Sequence, residues 1–223
     1  MTLAGVVVFP GSNCDKDLGL AFKLAGFEVV YIWHKDSELP NNLDVIALPG
    51  GFSFGDYLRC GAIAAKSPIT RAVINFAERG GYVLGVCNGF QILCETFLLP
   101  GALVRNLEGK FLCRPEILSV ETANSAFTSN YEQGERVCVP IAHHDGNYVV
   151  DEETLKALTL EDRVAFKYLA NPNGSCESIA GVFSKNRRVL GMMPHPERAV
   201  MDFHGSRAGM NLFSSLLGSF VSE

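Results

Sequence analysis

Short apolar runs alternate with helical stripes over residues 5–86, and this alternation constrains the fold more than any other feature of the chain. Gly5-Val-Val-Val-Phe9 is a continuous apolar run stopped by Pro10-Gly11, the pattern of a strand covered on both faces. Leu18, Ala21, Phe22 and Ala25 follow at helical spacing, with Asn13 expected as the N-cap and Gly26 as the stop. Residues 27–33 supply a second strand, and residues 44–48 a third, halted by Pro49-Gly50-Gly51. A second helical stripe is made by Ile69, Ala72, Val73, Phe76 and Ala77, before Gly80-Gly81 and a fourth strand at 82–86. A β-α-β-β-α-β series of this kind predicts an open, mostly parallel sheet with right-handed crossovers, flanked by helices.

The second half has a different rhythm. Strand-like segments near 115–122, 136–142, 163–170, 179–184 and 188–193 are separated by turns such as Asn171-Pro-Asn-Gly174. Only the C-terminal stretch, with Phe213, Leu216, Leu217 and Phe220 on one face, reads as helix. These strands predict a small antiparallel excursion within one domain spanning 1–223. No internal repeat, linker or low-complexity segment interrupts it.

Composition narrows the function. Lys+Arg 19 against Asp+Glu 24 gives a net charge of −5, which offers no basic surface for nucleic acid. No apolar run approaches the ~18 residues that span a bilayer. The seven cysteines are an odd number with no C-x-x-C pair, so disulfide, zinc and thioredoxin readings fail on spacing. We expect a reduced, cytoplasmic domain with no metal, in which one thiol carries chemistry.

That thiol is Cys87. The strand at 82–86 runs into Gly85-Val86-Cys87-Asn88-Gly89, and Phe90, Gln91, Leu93 and Cys94 continue as a helix. Small residues two positions either side of a nucleophile at a strand-to-helix turn define a nucleophile elbow. The turn is strained, and the flanking chains approach too closely for larger side chains. It also sets the thiol at a helix N-terminus, whose N–H groups favour an anion. A base is offered by His195, clamped in Met193-Pro-His-Pro-Glu197 after a strand end. Glu197 lies two residues on, so an extended segment would aim both side chains to one face and let the carboxylate select the tautomer. At Pro49-Gly50-Gly51, a peptide N–H at the carboxyl end of a strand can serve half an oxyanion hole, with the Asn88 N–H as the other half.

Taken together these residues resemble class I glutamine amidotransferases, whose triad runs Cys-His-Glu in this chain order. Five strings resemble, more narrowly, the family of glutaminase subunits of phosphoribosylformylglycinamidine synthase. They are Phe9-Pro-Gly-Ser-Asn-Cys-Asp15, Pro49-Gly-Gly-Phe-Ser-Phe-Gly-Asp-Tyr-Leu-Arg59, Gly85-Val-Cys-Asn-Gly-Phe-Gln-Ile-Leu93, Asn171-Pro-Asn-Gly-Ser175 and Met193-Pro-His-Pro-Glu-Arg198. The resemblance spans essentially the whole chain and implies a flavodoxin-like sheet. It implies Cys87 as nucleophile, His195 as general base and acid, and Glu197 as its orienter. Gly51, Phe52 and Asn88 fall where the family forms its oxyanion hole, and Gln91 joins the substrate-binding set. The substrate implied is glutamine. Ammonia would pass to a synthase subunit that holds ATP and Mg, with a small accessory subunit in the same complex. This chain has no G-x-x-x-x-G-K-[ST] loop of its own and no implied cofactor. It departs from the family at Ala142-His143-His144-Asp145-Gly146, where His-Gly-Glu-Gly is usual. His143 matches, and is expected at the site mouth or against a partner. Cys14 and Cys60 read as small loop residues.

Overall fold

The computed structural model describes residues 1–221. In chain order the elements are β1 (Leu3–Val8), α1 (Asp15–Ala25), β2 (Glu28–Trp33), β3 (Val45–Leu48), α2 (Pro68–Glu78), β4 (Tyr82–Val86) and α3 (Asn88–Glu95). They continue as β5 (Ala102–Val104), β6 (Leu112–Val120), β7 (Arg136–His143), β8 (Asn147–Val149), α4 (Glu152–Leu160), β9 (Val164–Tyr168), β10 (Ile179–Phe183), β11 (Val189–Met192) and α5 (Met210–Val221).

Nine strands form one sheet in the order β2-β1-β3-β4-β11-β10-β9-β6-β7, and β5 pairs with β8 apart from it. The β2, β1, β3, β4 and β11 strands run parallel to their neighbours, and the pairings from β11 outward to β7 are antiparallel. The antiparallel excursion is therefore continuous with the parallel sheet. Its last strand in sequence, β11, returns to pair with β4. In the parallel block β3 and β4 are buried along nearly their whole length, as their unbroken apolar runs require. Helices α1 and α5 pack together on one face, with Phe22 edge-on to Phe213 between them. Among the described residues no helix is long and apolar enough to cross a membrane.

Three sequence expectations need correcting. Cys14, not Asn13, occupies the N-cap of α1, and its side chain makes no capping bond. Helix α4 has no counterpart in the sequence reading; Asp151 caps it by accepting the Thr154 N–H. Strands β5 and β8, three residues each and paired with one another, were also not foreseen.

Beyond the carboxyl ends of β1, β3, β4 and β11 four loops converge. Chain order reverses about β1, with β2 on one side and β3 on the other, and such a switch point leaves a crevice for a ligand.

Candidate active site

Cys87 follows β4 and caps α3 with φ 51° and ψ −106°, a conformation that costs on the order of 1–3 kcal/mol for a residue with a Cβ. Its N–H donates to the Met192 carbonyl at 2.8 Å, which ties the elbow to β11. The flanking glycines are sterically required. A Cβ on Gly85 would stand 2.7 Å from the Gly89 carbonyl oxygen, and one on Gly89 would collide with the Leu48 carbonyl. Helix α3 thus lies directly against the end of β3. Cys87 is 5% exposed, and its thiol donates to the Ala142 carbonyl at 3.6 Å.

His195 and Glu197 are each 1% exposed. Their contact is real, but its geometry differs from expectation: Pro196–Arg198 forms a single helical turn, not an extended segment. Across it Nδ1 of His195 meets Oε1 of Glu197 at 2.7 Å. The His195 N–H donates to the Pro140 carbonyl, so β7 anchors the turn. Burial alone would push the imidazole down; the Glu197 and Cys87 charges outweigh it and hold the pKa well above its usual value. With Nδ1 engaged, Nε2 is the nitrogen without a protein partner. That atom is the one available to exchange a proton with a substrate.

Around this pair the loop at 49–56 stacks on the loop after β1. Ser12 and Gly51 form an isolated antiparallel bridge, flanked by the Phe52 N–H donating to the Gly11 carbonyl at 3.0 Å. The Gly51 N–H consequently points away from Ser12, and only glycine fits there, since a Cβ would stand 2.7 Å from the Asn13 nitrogen. Phe52, expected as an oxyanion residue, therefore has its N–H committed elsewhere in this conformation. Gly51 and the Asn88 N–H, at the first position of α3, are the donors not spent on the fold.

Asn88 is fully buried and acts as a hub. Its Oδ1 accepts the Ser53 N–H, and its Nδ2 donates to Gln91 Oε1 at 2.9 Å and to Asp56 Oδ1 at 3.3 Å. Gln91 in turn donates to the Asp145 carbonyl at 2.7 Å. This relay fastens two loops, 53–60 and 144–146, to the first turn of α3. Within the first of them Phe54, Asp56 and Leu58 all have positive φ; such strain persists only where surrounding contacts impose it.

His143 is 3% exposed, so its ring has no surface to offer a partner. It faces inward instead, with Nδ1 donating to Asn106 Oδ1 at 3.1 Å, because that oxygen also accepts the Gly146 N–H. Burial, and then the nearby His195 charge, push its pKa down to about 4. It is a neutral ring. Neither Asn106 nor Asp56 was singled out from sequence, although Asp56 sits inside the Gly-Asp-Tyr-Leu-Arg string.

Cys14 is buried beside His195. Cys14, His195 and Glu197 each present one ligand atom within 4.8 Å of the others. A metal there would have to break the His195–Glu197 hydrogen bond, so the set is better matched to proton transfer than to coordination.

A CobB/CobQ-like glutamine amidotransferase domain matches residues 3–213. Subunit PurQ of phosphoribosylformylglycinamidine synthase from Cereibacter sphaeroides is 65% identical over 218 residues, covering 98% of both chains. The Zymomonas mobilis subunit of the same description is 54% identical, covering 96% of this chain and 97% of that one. A chain in the structure of PurLQS from Thermotoga maritima is 44% identical with a TM-score of 0.91, covering 98% of this chain and 99% of that one. The glutaminase domain of Trypanosoma brucei CTPS shares the fold at 15% identity and TM-score 0.65. Full-length identity at this level leaves one assignment: the chain belongs to the glutamine amidotransferases, and among them to the PurQ subunits of phosphoribosylformylglycinamidine synthase.

Proposed function

We propose that the chain releases ammonia from glutamine at Cys87 and delivers it to a synthase subunit of the same complex. The observation that carries this reading is the buried pair His195–Glu197, with Nε2 unspent, set beside a strained cysteine at a helix N-terminus.

The chemistry follows from that arrangement. The Cys87 sulfur attacks the side-chain carbonyl carbon of glutamine, and the oxyanion is received by the N–H groups of Asn88 and Gly51. His195 takes the thiol proton and gives it to the departing nitrogen, so ammonia leaves and a γ-glutamyl thioester remains. Water then attacks the thioester, with His195 as base, and glutamate departs as the thiol is restored. Glu197 holds the ring in the useful tautomer and stabilises its charge without itself exchanging a proton.

Ammonia would then meet formylglycinamide ribonucleotide on the partner, which supplies ATP and Mg and forms the amidine of de novo purine synthesis. The partner and a small accessory subunit are supported by the likeness to a chain of PurLQS. A cytoplasmic site of action accords with that pathway.

The test is Cys87→Ala in the complete complex. Glutamine-dependent amidine formation should fall to background, while synthesis from added ammonium chloride stays within about twofold, since the partner's chemistry is untouched. Persistent glutamine turnover in that variant would remove Cys87 from the mechanism.

A further inference from the structure

Cys14 stands at the start of α1, where a polar side chain ordinarily caps a helix, yet it makes no capping bond. It is 2% exposed. Its N–H donates to the Gly50 carbonyl at 3.3 Å. A Cβ on Gly50 would stand 2.7 Å from Cε1 of His195 and 3.2 Å from the Cys14 sulfur, so the loop after β3 presses on ring and thiol together. Arg198 adds a second tie. Its Nε and Nη2 both reach Oδ2 of Asp17 at 3.1 Å, which fastens the catalytic turn to the first turn of α1. Asn13, Cys14, His195 and Arg198 all line one cavity of about 220 Å³.

The thiol is a neutral group with a set direction. Burial pushes its pKa up, so it is neither a rival nucleophile nor an anion. Its hydrogen goes to Asn13 Oδ1 at 3.1 Å, and the sulfur lone pairs are left for its other neighbours. Those are a ring nitrogen of His195 and a carboxylate oxygen of Glu197, each within 4.8 Å. Several elements bring titratable or charged groups to this ring. Cys87 comes from the elbow, Glu197 from the same turn, Cys14 from α1 and the neutral His143 from β7; Arg198 bears on the thiol. Burial pushes the His195 pKa down, whereas the charges of Glu197 and Cys87, and then contact with the Cys14 thiol, raise it.

A dipole whose hydrogen is drawn away and whose sulfur lies toward an imidazole favours the charged ring over the neutral one, and low polarity around it strengthens the effect. The reaction needs that charged ring, because His195 must hold the Cys87 proton until the nitrogen departs. We propose that Cys14 is a positioning residue of the glutaminase reaction: oriented by Asn13, its neutral thiol presents sulfur to His195 and favours the imidazolium that carries the proton. This rests on the glutaminase reading above and adds one side chain to those that hold the ring's charge.

The test is the pH dependence of kcat/KM for glutamine, measured in the complete complex for Cys14→Ala and Cys14→Ser. Alanine removes the dipole, so the alkaline limb should move toward neutrality by about half a unit to one unit, the weight of one ordinary hydrogen bond. Serine keeps a rotatable donor and two lone pairs, and should leave the limb near its wild-type place. A side chain that only fills space would lower kcat or the urea midpoint without moving the limb. The proposal is overturned if the alanine limb stays put, or if serine moves it as far as alanine does. Should Cys14→Ala not fold, Cys14→Val supplies the apolar arm. Alkylation of Cys87 by iodoacetamide, read by peptide mapping, separates this proposal from the reading beneath it. An unreactive Cys87 in the wild-type complex counts against glutaminase chemistry. A reactive Cys87 with an unmoved alanine limb counts against Cys14 only.

Discussion

A histidine as deeply buried as His195 would ordinarily be neutral, because burial disfavours its charged form. Glu197 reverses this at 2.7 Å, and His143 shows the contrast. The His143 ring is similarly buried, but it is held by an amide oxygen instead of a carboxylate, and its pKa falls to about 4. One ring is tuned to carry a proton and the other to refuse one. Glu197→Gln keeps a hydrogen-bond acceptor beside Nδ1 but removes the charge. The protonated imidazole loses its stabilisation, so the His195 pKa drops. The step that needs a protonated ring, donation to the departing nitrogen, should then fail at lower pH. We expect the alkaline limb of kcat/KM for glutamine to move toward neutrality, with kcat down by ~10²–10⁴. A pH–rate profile with its alkaline limb unmoved would mean that Glu197 does not set the ring's charge. The same pair has a linked effect on folding. A raised folded-state pKa stabilises the protein fully below the unfolded value of ~6.5, and that share is lost as pH climbs through the raised value.

At the scale of elements, the elbow shows why some of this site was legible in sequence. Gly85 and Gly89 bracket Cys87 because α3 sits on β3 and β4 with no room for a Cβ, and a requirement that local leaves a local string. Gly89→Ala would drive its methyl into the Leu48 carbonyl, which is backbone and cannot swing aside. We expect a loss of about 3 kcal/mol in urea unfolding, with Cys87 alkylation altered as the helix shifts; a variant of wild-type stability would show that the helix has slack. The buried strands of the parallel block were equally readable, from unbroken apolar runs. Helix α4 was not, because it buries only Leu158 and so leaves almost no apolar stripe; its one cue is Asp151 with Glu152 and Glu153 behind it. The His-Pro-Glu contact was foreseen but not its geometry, since Pro196 opens a helical turn where alternation suggested extension. Sheet order is harder still. Val189–Met192 looks like one more strand of the second half, and only pairing with Tyr82–Val86 across the chain makes it a neighbour of the nucleophile. Asp56 and Asp145 meet for the same non-local reason, through Asn88 and Gln91.

Across the whole molecule, the site is assembled from segments that a single sheet aligns. The loops after β1, β3, β4 and β11 supply the Gly11 carbonyl, Gly51, Cys87 and His195, and β7 closes the set through Pro140 and Ala142. The Phe52 N–H, expected from the resemblance at the oxyanion hole, is bonded to the Gly11 carbonyl instead, and the Phe52 side chain lines two cavities, of about 220 and 520 Å³. Removing one oxyanion donor costs ~10²–10³ in kcat. An isolated chain in this conformation should therefore hydrolyse glutamine that much more slowly than one whose 49–56 loop has turned to free the donor. Tyr57 and Leu58 of the adjoining segment are exposed, and a subunit that covered them would bear on that loop. The measurement is glutamate release by the purified chain alone, with the synthase subunit added, and with the synthase subunit plus formylglycinamide ribonucleotide and ATP. We expect stimulation of at least ~10²-fold in kcat at the last stage, with KM changing far less, because the freed donor acts on the transition state and not on bound glutamine. Full turnover by the chain alone would show that Asn88 and Gly51 suffice and that the Phe52–Gly11 bond restrains nothing.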